Sequence, residues 1–453
     1  MAQRVFEDRP HSDLSNPHYA WWMHFLNSTT GWSRDEIEAY QLDQLRQIVT
    51  HAYQNAPGYR SLYQEAGVHP DQIRTLDDLR RFPCVEKEMF RDHLETLSVP
   101  IDGRTYVTTG GSTGIPCGMY RDPVSFAKEL ASKAHQYHRI GWREGGRQIV
   151  FRGLSIPTDD HMEFVPGFNE LRCSSYHFGT EWMETYRQAA WDYRPAWLRC
   201  YPSSGYVFAR YLSDTGLSFP QLKGILCSSE HLYDFQKKLL RNVFHCRIFS
   251  HYGHYEMAVL AGFCEYEDAY HVLPYYGYAE LLQPNGQPVT QPGQVGEIVG
   301  TSFIMYATPF IRYRTQDLAV FRGWGCAACG RPYQIWERIE GRLQELLVTQ
   351  TGRYISTSML NMHDDFYDHL KQFQFHQRRL GELTFRYVPK HTLTQDAVDD
   401  MKAKLTLKLG SDVSLITEEV SEIPMTPRGK HRLLIQDIPL RFDDASLQAP
   451  LEI

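Results

Sequence analysis

From Tyr106 to Ile311 short apolar runs alternate with amphipathic segments, and no other feature restricts the fold as tightly: the pattern is that of α/β layers. Gln148–Arg152, Gly224–Cys227 and Arg247–Phe249 read as buried strands, with Phe235–Phe244 as a helix between two of them. Glu297–Phe303 and Leu318–Arg322 read as strands near the end of the region. The preceding hundred residues are helical in pattern. Leu42, Leu45, Ile48, Val49 and Ala52 recur at helical spacing until Pro57-Gly58 breaks it, and Asp77-Asp78-Leu79 opens a short helix that stops near Pro83. After Gly341 the character changes. A strand at Glu345–Val348 is followed by a turn at Thr351-Gly352, a helix and a strand at Leu383–Val388. A helix at Gln395–Leu409, ended by Gly410, and a strand at Val413–Thr417 complete the segment. The expected architecture is a large N-terminal α/β domain of layered sheets and helices, residues 1–341, and a small mobile α+β C-terminal domain, residues 342–453.

Composition narrows the class of partner. A net charge of −7 argues against nucleic acid or an anionic membrane as the main partner, and leaves room for a small anionic substrate held by a few basic groups. No run of about 18 apolar residues offers a membrane span. Met1–Pro17 is polar, without the apolar core of a signal peptide. The nine cysteines are odd in number and scattered, which suits a reducing cytoplasm better than a disulfide framework. A monomer or homodimer is expected.

Four segments carry chemistry. Val107-Thr108-Thr109-Gly110-Gly111-Ser112-Thr113-Gly114-Ile115-Pro116 can bring backbone N–H groups and hydroxyls close to phosphate oxygens, although a plain Gly/Ser/Thr turn would look the same. It is not a Walker loop, since no lysine follows the last glycine. Tyr252-Gly253-His254-Tyr255-Glu256 follows a buried strand, where Glu256 can hold Mg²⁺ or be a solvated loop acid. In Phe310-Ile311-Arg312-Tyr313-Arg314-Thr315-Gln316-Asp317-Leu318, Asp317 stands at the entry to a strand, placed to accept from ribose hydroxyls or to close a turn. Pro424-Met425-Thr426-Pro427-Arg428-Gly429-Lys430 forms a rigid loop that presents Lys430, a compact cation for a charged phosphate unless it is merely solvated.

Their order resembles the adenylate-forming (acyl-CoA synthetase-like) superfamily: Thr-Gly-Gly-Ser-Thr-Gly-x-Pro, Tyr-Gly-x-x-Glu, Tyr-Arg-Thr-x-Asp-Leu, Gly-Arg, and a C-terminal Pro-x-Thr-x-x-Gly-Lys. Ala52-Tyr53, Ala56-Pro57-Gly58-Tyr59-Arg60, Leu76-Asp77-Asp78-Leu79 and Phe82-Pro83 look like its phenylacetate–CoA ligase/CapK branch. The resemblance implies an ATP-dependent ligase that activates a small carboxylic acid, aryl or polar, as its acyl-adenylate. The acyl group then passes to a thiol or amine acceptor, coenzyme A being one candidate. An amine, sugar or carrier-protein acceptor is the alternative, and a non-catalytic nucleotide-binding scaffold a distant one. Within it, Thr108 to Gly114 would cradle the ATP phosphates, with Thr109 counted beside Glu256 and Lys430 as catalytic. Ser228, Ser229, Glu230, Tyr252 and Gly253 would frame the adenine. Glu256 would hold Mg²⁺, Asp317 and Arg342 would grip the ribose, and Lys430 would bridge the acyl carboxylate and the α-phosphate. Gln344 stands where the family has an acidic hinge residue. Gln350-Thr351-Gly352-Arg353-Tyr354-Ile355-Ser356 is nearer the CapK pattern than that of the CoA ligases.

Cys326-Ala327-Ala328-Cys329-Gly330 is a knuckle of the kind that Zn²⁺ organises, and Cys264 with His271 would complete a Cys₃His set with a structural role. Otherwise these are reduced, free thiols. His245, His251 and His254 gather near the Glu256 segment, as structural histidines or as lining of an acyl pocket.

Overall fold

The computed structural model describes residues 15–108, 118–152, 156, 158–175, 177, 180–342, 346–352, 354–356, 360, 369–425 and 432–438. Four helices lead: α1 (Pro17–Ser28), α2 (Arg34–Asn55), α3 (Pro57–Glu65) and α4 (Lys87–Leu97). Ser33 starts α2 through a capping box, its hydroxyl accepting from the Glu36 N–H while the Ser33 N–H donates to the Glu36 carboxylate at 2.8 Å. Ile37, Leu45, Ile48, Val49 and Ala52 bury one face of α2, and Leu76–Arg81 forms a 3₁₀ turn where a short helix was expected.

A hairpin of β1 (Thr105–Thr108) and β2 (Gly118–Arg121) precedes α5 (Ser125–His138). The main sheet then takes β3 (Gln148–Arg152), β4 (Met162–Val165), β5 (Glu170–Ser174), β6 (Trp197–Cys200), β7 (Gly224–Ser228), β8 (Arg247–Gly253) and β9 (Leu260–Phe263). β10 (Tyr270–Val272), β11 (Gly277–Leu282), β12 (Val295–Ser302), β13 (Tyr313–Trp324) and β14 (Gln334–Arg342) complete it. Helices α6 (Thr180–Tyr193), α7 (Pro202–Thr215) and α8 (Asp234–Phe244) connect β5, β6, β7 and β8. The strand order is β11-β12-β13-β14-β10-β9-β8-β7-β6-β3-β5-β4. Its middle, β8-β7-β6-β3-β5, is parallel, so these strands end along one edge, the edge at which open α/β sheets bind ligands. β7 is buried throughout, as its continuous apolar run predicts for a strand covered on both faces.

Two sequence expectations change here. β13 begins at Tyr313, five residues before the expected start. Arg314 pairs with Glu297 on β12 at 2.6 Å and the Thr315 hydroxyl donates to Ile298 O at 2.7 Å, so a polar stretch is drawn into the sheet. Asp317 is therefore inside a strand, beside an irregular step in register where Gln316 takes a φ of 61°.

The C-terminal segment holds a hairpin, β15 (Leu346–Val348) with β16 (Tyr354–Ser356), and a sheet ordered β19-β18-β17-β20. Its strands are β17 (Leu370–Arg379), β18 (Glu382–Pro389), β19 (Ser414–Glu419) and β20 (Leu434–Gln436), with α9 (Gln395–Leu409) between β18 and β19. Over the described residues, β16 and β17 stand where a helix was expected before Leu383. Gln374 and Gln377 are buried there, and Gln377 substitutes for a strand partner: Val348 N–H donates to its Oε1 and its Nε2 donates to Val348 O, both at 2.7 Å. α9 buries Met401, Leu405 and Leu409 and stops at Gly410, whose φ of 87° explains the glycine. The buried apolar residues form two clusters, one in the large sheet and its helices, the other around Phe373, Phe375, Phe385 and Leu405.

Candidate active site

β8 ends at Tyr252-Gly253, and the turn that follows presents Glu256. Glu256 is 8% exposed, and its carboxylate has two side-chain partners: the Tyr313 hydroxyl donates to Oε1 at 3.0 Å, and His254 Nδ1 lies 3.2 Å from Oε2. Burial works to raise its pKa, but the hydrogen bond and charge of His254, its own backbone N–H and the Tyr313 hydroxyl together hold it down to about 2. Glu256 is thus a buried anion with lone pairs to spare, the chemistry a divalent cation requires. Beside it, the Tyr252 hydroxyl donates to Asp317 Oδ2 at 2.7 Å, and Asp317 faces Arg342 in the β13–β14 register. Arg121 at the end of β2 stacks over the Tyr255 ring at 4.0 Å, which brings the β1–β2 hairpin to the same turn. The loop of that hairpin, with Thr109, Gly110, Gly111, Ser112, Thr113 and Gly114, lies outside the described residues, as do Gln344 and Lys430. Thr108 ends β1, opposite Gly118.

The segment after β7 divides its labour. Ser228 Oγ accepts from Arg152 Nη2 at 3.1 Å, and Ser229 takes a left-handed φ of 71°. Glu230, expected to frame a base, binds the first turn of α7, accepting from the Ser203 N–H and hydroxyl at 3.0 Å each. The three histidines do not cluster. His251 contacts the Tyr137 hydroxyl at 2.8 Å and His254 contacts Glu256, but His245 caps the C-terminus of α8 at the opposite end of extended β8. Arg312 of the Phe310–Leu318 segment is structural. Its guanidinium pairs with Glu280 at 2.9 Å and donates to the carbonyls of Arg80 and Phe82, tying the N-terminal helices to the sheet. Tyr313 and Arg152 are the side chains that sequence reasoning left without a role. Tyr313 lies inside the Phe310–Leu318 motif, but its partner Glu256 is remote in sequence.

At the far end of β9, β13 and β14, Cys264, His271, Cys326 and Cys329 converge, their ligand atoms all within 4.8 Å of one another. Cys264 Sγ lies 3.9 Å from Cys326 Sγ, and Cys329 Sγ 3.8 Å from His271 Nδ1. Tetrahedral zinc with sulfurs at 2.3 Å places them about 3.8 Å apart, so the donor set fits that ion. Gly330 closes the knuckle, its N–H donating to Cys326 O at 2.8 Å with a φ of 75° that favours glycine.

The profile of the CapK C-terminal domain family matches residues 347–437. A phenylacetate–coenzyme A ligase of Pseudomonas putida is 25% identical over 78% of this chain and 81% of its own length. Protein CapK of Staphylococcus aureus is 21% identical over 89% and 90% respectively. The chain resembles the adenylate-forming superfamily. Within it the resemblance is to the phenylacetate–CoA ligase/CapK-like branch, and the enzyme class is that of the ATP-dependent ligases that form an acyl-adenylate. The fold agrees: a 2-hydroxyisobutyryl-CoA ligase in its postadenylation state superposes with a TM-score of 0.71, at 19% identity, covering 90% of this chain and 91% of that one. Ligases of this superfamily use ATP and Mg²⁺. No helix among the described residues is long and apolar enough to cross a membrane.

Proposed function

We propose that the protein activates a small carboxylic acid with ATP as the acyl-adenylate, releasing pyrophosphate, and passes the acyl group to coenzyme A. The observation that carries this reading is the pairing of two acidic sites at one sheet edge: Glu256, held by Tyr313 and His254, beside Asp317, held by Tyr252. In the reaction a carboxylate oxygen attacks the α-phosphorus, the α–β phosphoanhydride bond breaks, and pyrophosphate carries away the electron pair. Glu256 would hold Mg²⁺, which screens phosphate charge. Asp317 and Arg342 would bind the ribose, and Ser228, Ser229, Tyr252 and Gly253 would frame the adenine. Thr108 to Gly114 would cradle the phosphates, and Lys430 would meet the charge at the reacting phosphate. Pyrophosphate release measured over a panel of carboxylic acids tests the reading, and silence with every acid would overturn it.

An amine, sugar or carrier-protein acceptor is the second reading. The CapK-type match of the C-terminal segment favours it, and product analysis with each acceptor separates the two. We further propose a structural Zn²⁺ held by Cys264, His271, Cys326 and Cys329, supported by their near-tetrahedral spacing. The division into domains 1–341 and 342–453 is likewise proposed, supported by the two apolar clusters.

A further inference from the structure

The proposed reaction leaves unused a cationic group on one face of the parallel strands, at the edge where they end. Paired residues of a parallel ladder share a face, and residues two apart along a strand return to it. Register therefore puts Arg152 of β3, Arg199 of β6, Ser228 of β7 and His251 of β8 on one side of the sheet. α5 covers that side, since its Tyr137 hydroxyl meets His251 at 2.8 Å. Because Arg152 Nη2 reaches Ser228, its guanidinium stands beside β7, one strand spacing of about 4.8 Å from β8, whose C-terminal end leads into the turn that bears Glu256. The Tyr201 ring lies 5.6 Å from the same guanidinium.

The charges there do not balance within the described residues. Glu170, the acid on this face, already serves two arginines, accepting from Arg172 Nε at 2.8 Å and Arg199 Nη1 at 3.4 Å. Lys133 of α5 is taken by Glu129. Arg152 has no ion-pair partner among the described residues, and its Nε, like that of Arg199, is buried without a hydrogen-bond acceptor. Burial first and the charge of Arg199 second push the Arg152 guanidinium down to about 10, so it stays charged at neutral pH. His251 is pushed well below its ordinary value by burial and by Lys133, Arg199 and Arg152, so it offers a neutral ring. A half-buried cation whose Nε is buried with no acceptor is unfavourable until an anion arrives.

We propose that Arg152 is the specificity determinant of this site, and that the acid activated here carries a second carboxylate that pairs with the Arg152 guanidinium. The planar fork matches a carboxylate, whereas His251 and Tyr137 add hydrogen-bonding groups without competing charge. This inference rests on the acyl-adenylate reading above.

The test is pyrophosphate release by the full chain with ATP and Mg²⁺, using matched pairs: glutarate against pentanoate, and 4-carboxyphenylacetate against 4-methylphenylacetate. The diacid of each pair should be preferred at least tenfold in kcat/KM, chiefly through KM. In Arg152→Met that ratio should collapse toward one, and Arg152→Lys should restore part of it. Equal or reversed preference in the unaltered protein overturns the inference while acid activation stands, and that ratio needs no variant. An unchanged preference in folded Arg152→Met overturns it as well. Absence of pyrophosphate with every acid overturns acid activation and this inference together.

Discussion

β13 and β14 connect two clusters of ligating side chains that could hardly be built more differently. At one end, Asp317 pairs with Arg342 in the strand register, and Asp317 and Glu256 are each steadied by hydroxyl or imidazole groups. At the other, beyond Trp324 and before Gln334, two cysteines meet Cys264 and His271. Asp317 and Trp324 are seven residues apart, about 23 Å of extended strand. In the proposed reaction the acids at the first end, supported from behind by protein hydroxyls, would turn their charge to a ligand that comes and goes. The sulfurs and imidazole of the second end face one another, which suits an ion that stays. On the proposed function one pair of strands would join a place for turnover to a place for stability, and substitutions at the two ends should separate those quantities.

The largest effect is expected at the turnover end. Lys430→Ala should slow adenylate formation by roughly a thousandfold, with ATP affinity little changed, because in the proposed reaction the lysine would meet charge that develops in the transition state. Rapid-quench detection of the adenylate checks this, and near-normal pyrophosphate release would remove Lys430 from the reaction. Next in size is Cys329→Ser at the other end. Zinc content should fall from about one per chain, and melting should drop by roughly 5 °C, while turnover per folded molecule holds. A metal-free protein of undiminished stability would leave the cluster as plain thiols, and the contrast between the ends would fail.

Legibility from sequence differed between the ends for a physical reason. The Cys₃His set was readable because few residue types bind zinc and Cys326-x-x-Cys329 supplies half the tetrahedron locally. Its spacing from Cys264 could not be judged until β9 and the knuckle were seen side by side. At the turnover end the motif residues were readable, but their partners were not. Tyr313 reaches Glu256 only because β13 starts early, and it starts early because Arg314 finds Glu297 on another strand. In the C-terminal segment, buried Gln374 and Gln377 erased the alternation that would have announced β17, since their amides are satisfied by backbone remote in sequence. Helices such as α9 carried their own caps and period, so they were visible from the chain alone.

A middling effect should come from Asp317→Ala. Contacts to ribose hydroxyls act in the ground and transition states alike, so the KM for ATP should rise about tenfold to a hundredfold with kcat nearly kept. Melting should move less than in Cys329→Ser, because on the proposed function the lost side chain would face the ligand. A fall in kcat with unchanged KM would move Asp317 from binding into the chemical step.

The smallest effect tests the claim that the acids are supported from behind. Tyr313→Phe removes one hydroxyl, 3.0 Å from Glu256 Oε1, and leaves the ring packed against Phe90 and Phe310. His254 and the backbone N–H of Glu256 still lower its pKa, so the carboxylate remains ionised at neutral pH. The loss should therefore be one of orientation, worth about 0.5–1.5 kcal/mol, a few-fold rise in the Mg²⁺ needed for half-maximal activity. Glu256→Gln should raise that requirement much further, since it removes the charge itself. Identical Mg²⁺ titrations for Tyr313→Phe and the unaltered protein would mean that Glu256 is positioned by its own turn and by His254. If the Glu256→Gln titration coincided as well, Glu256 would not be a metal ligand, and the turnover end would have to find its cation elsewhere.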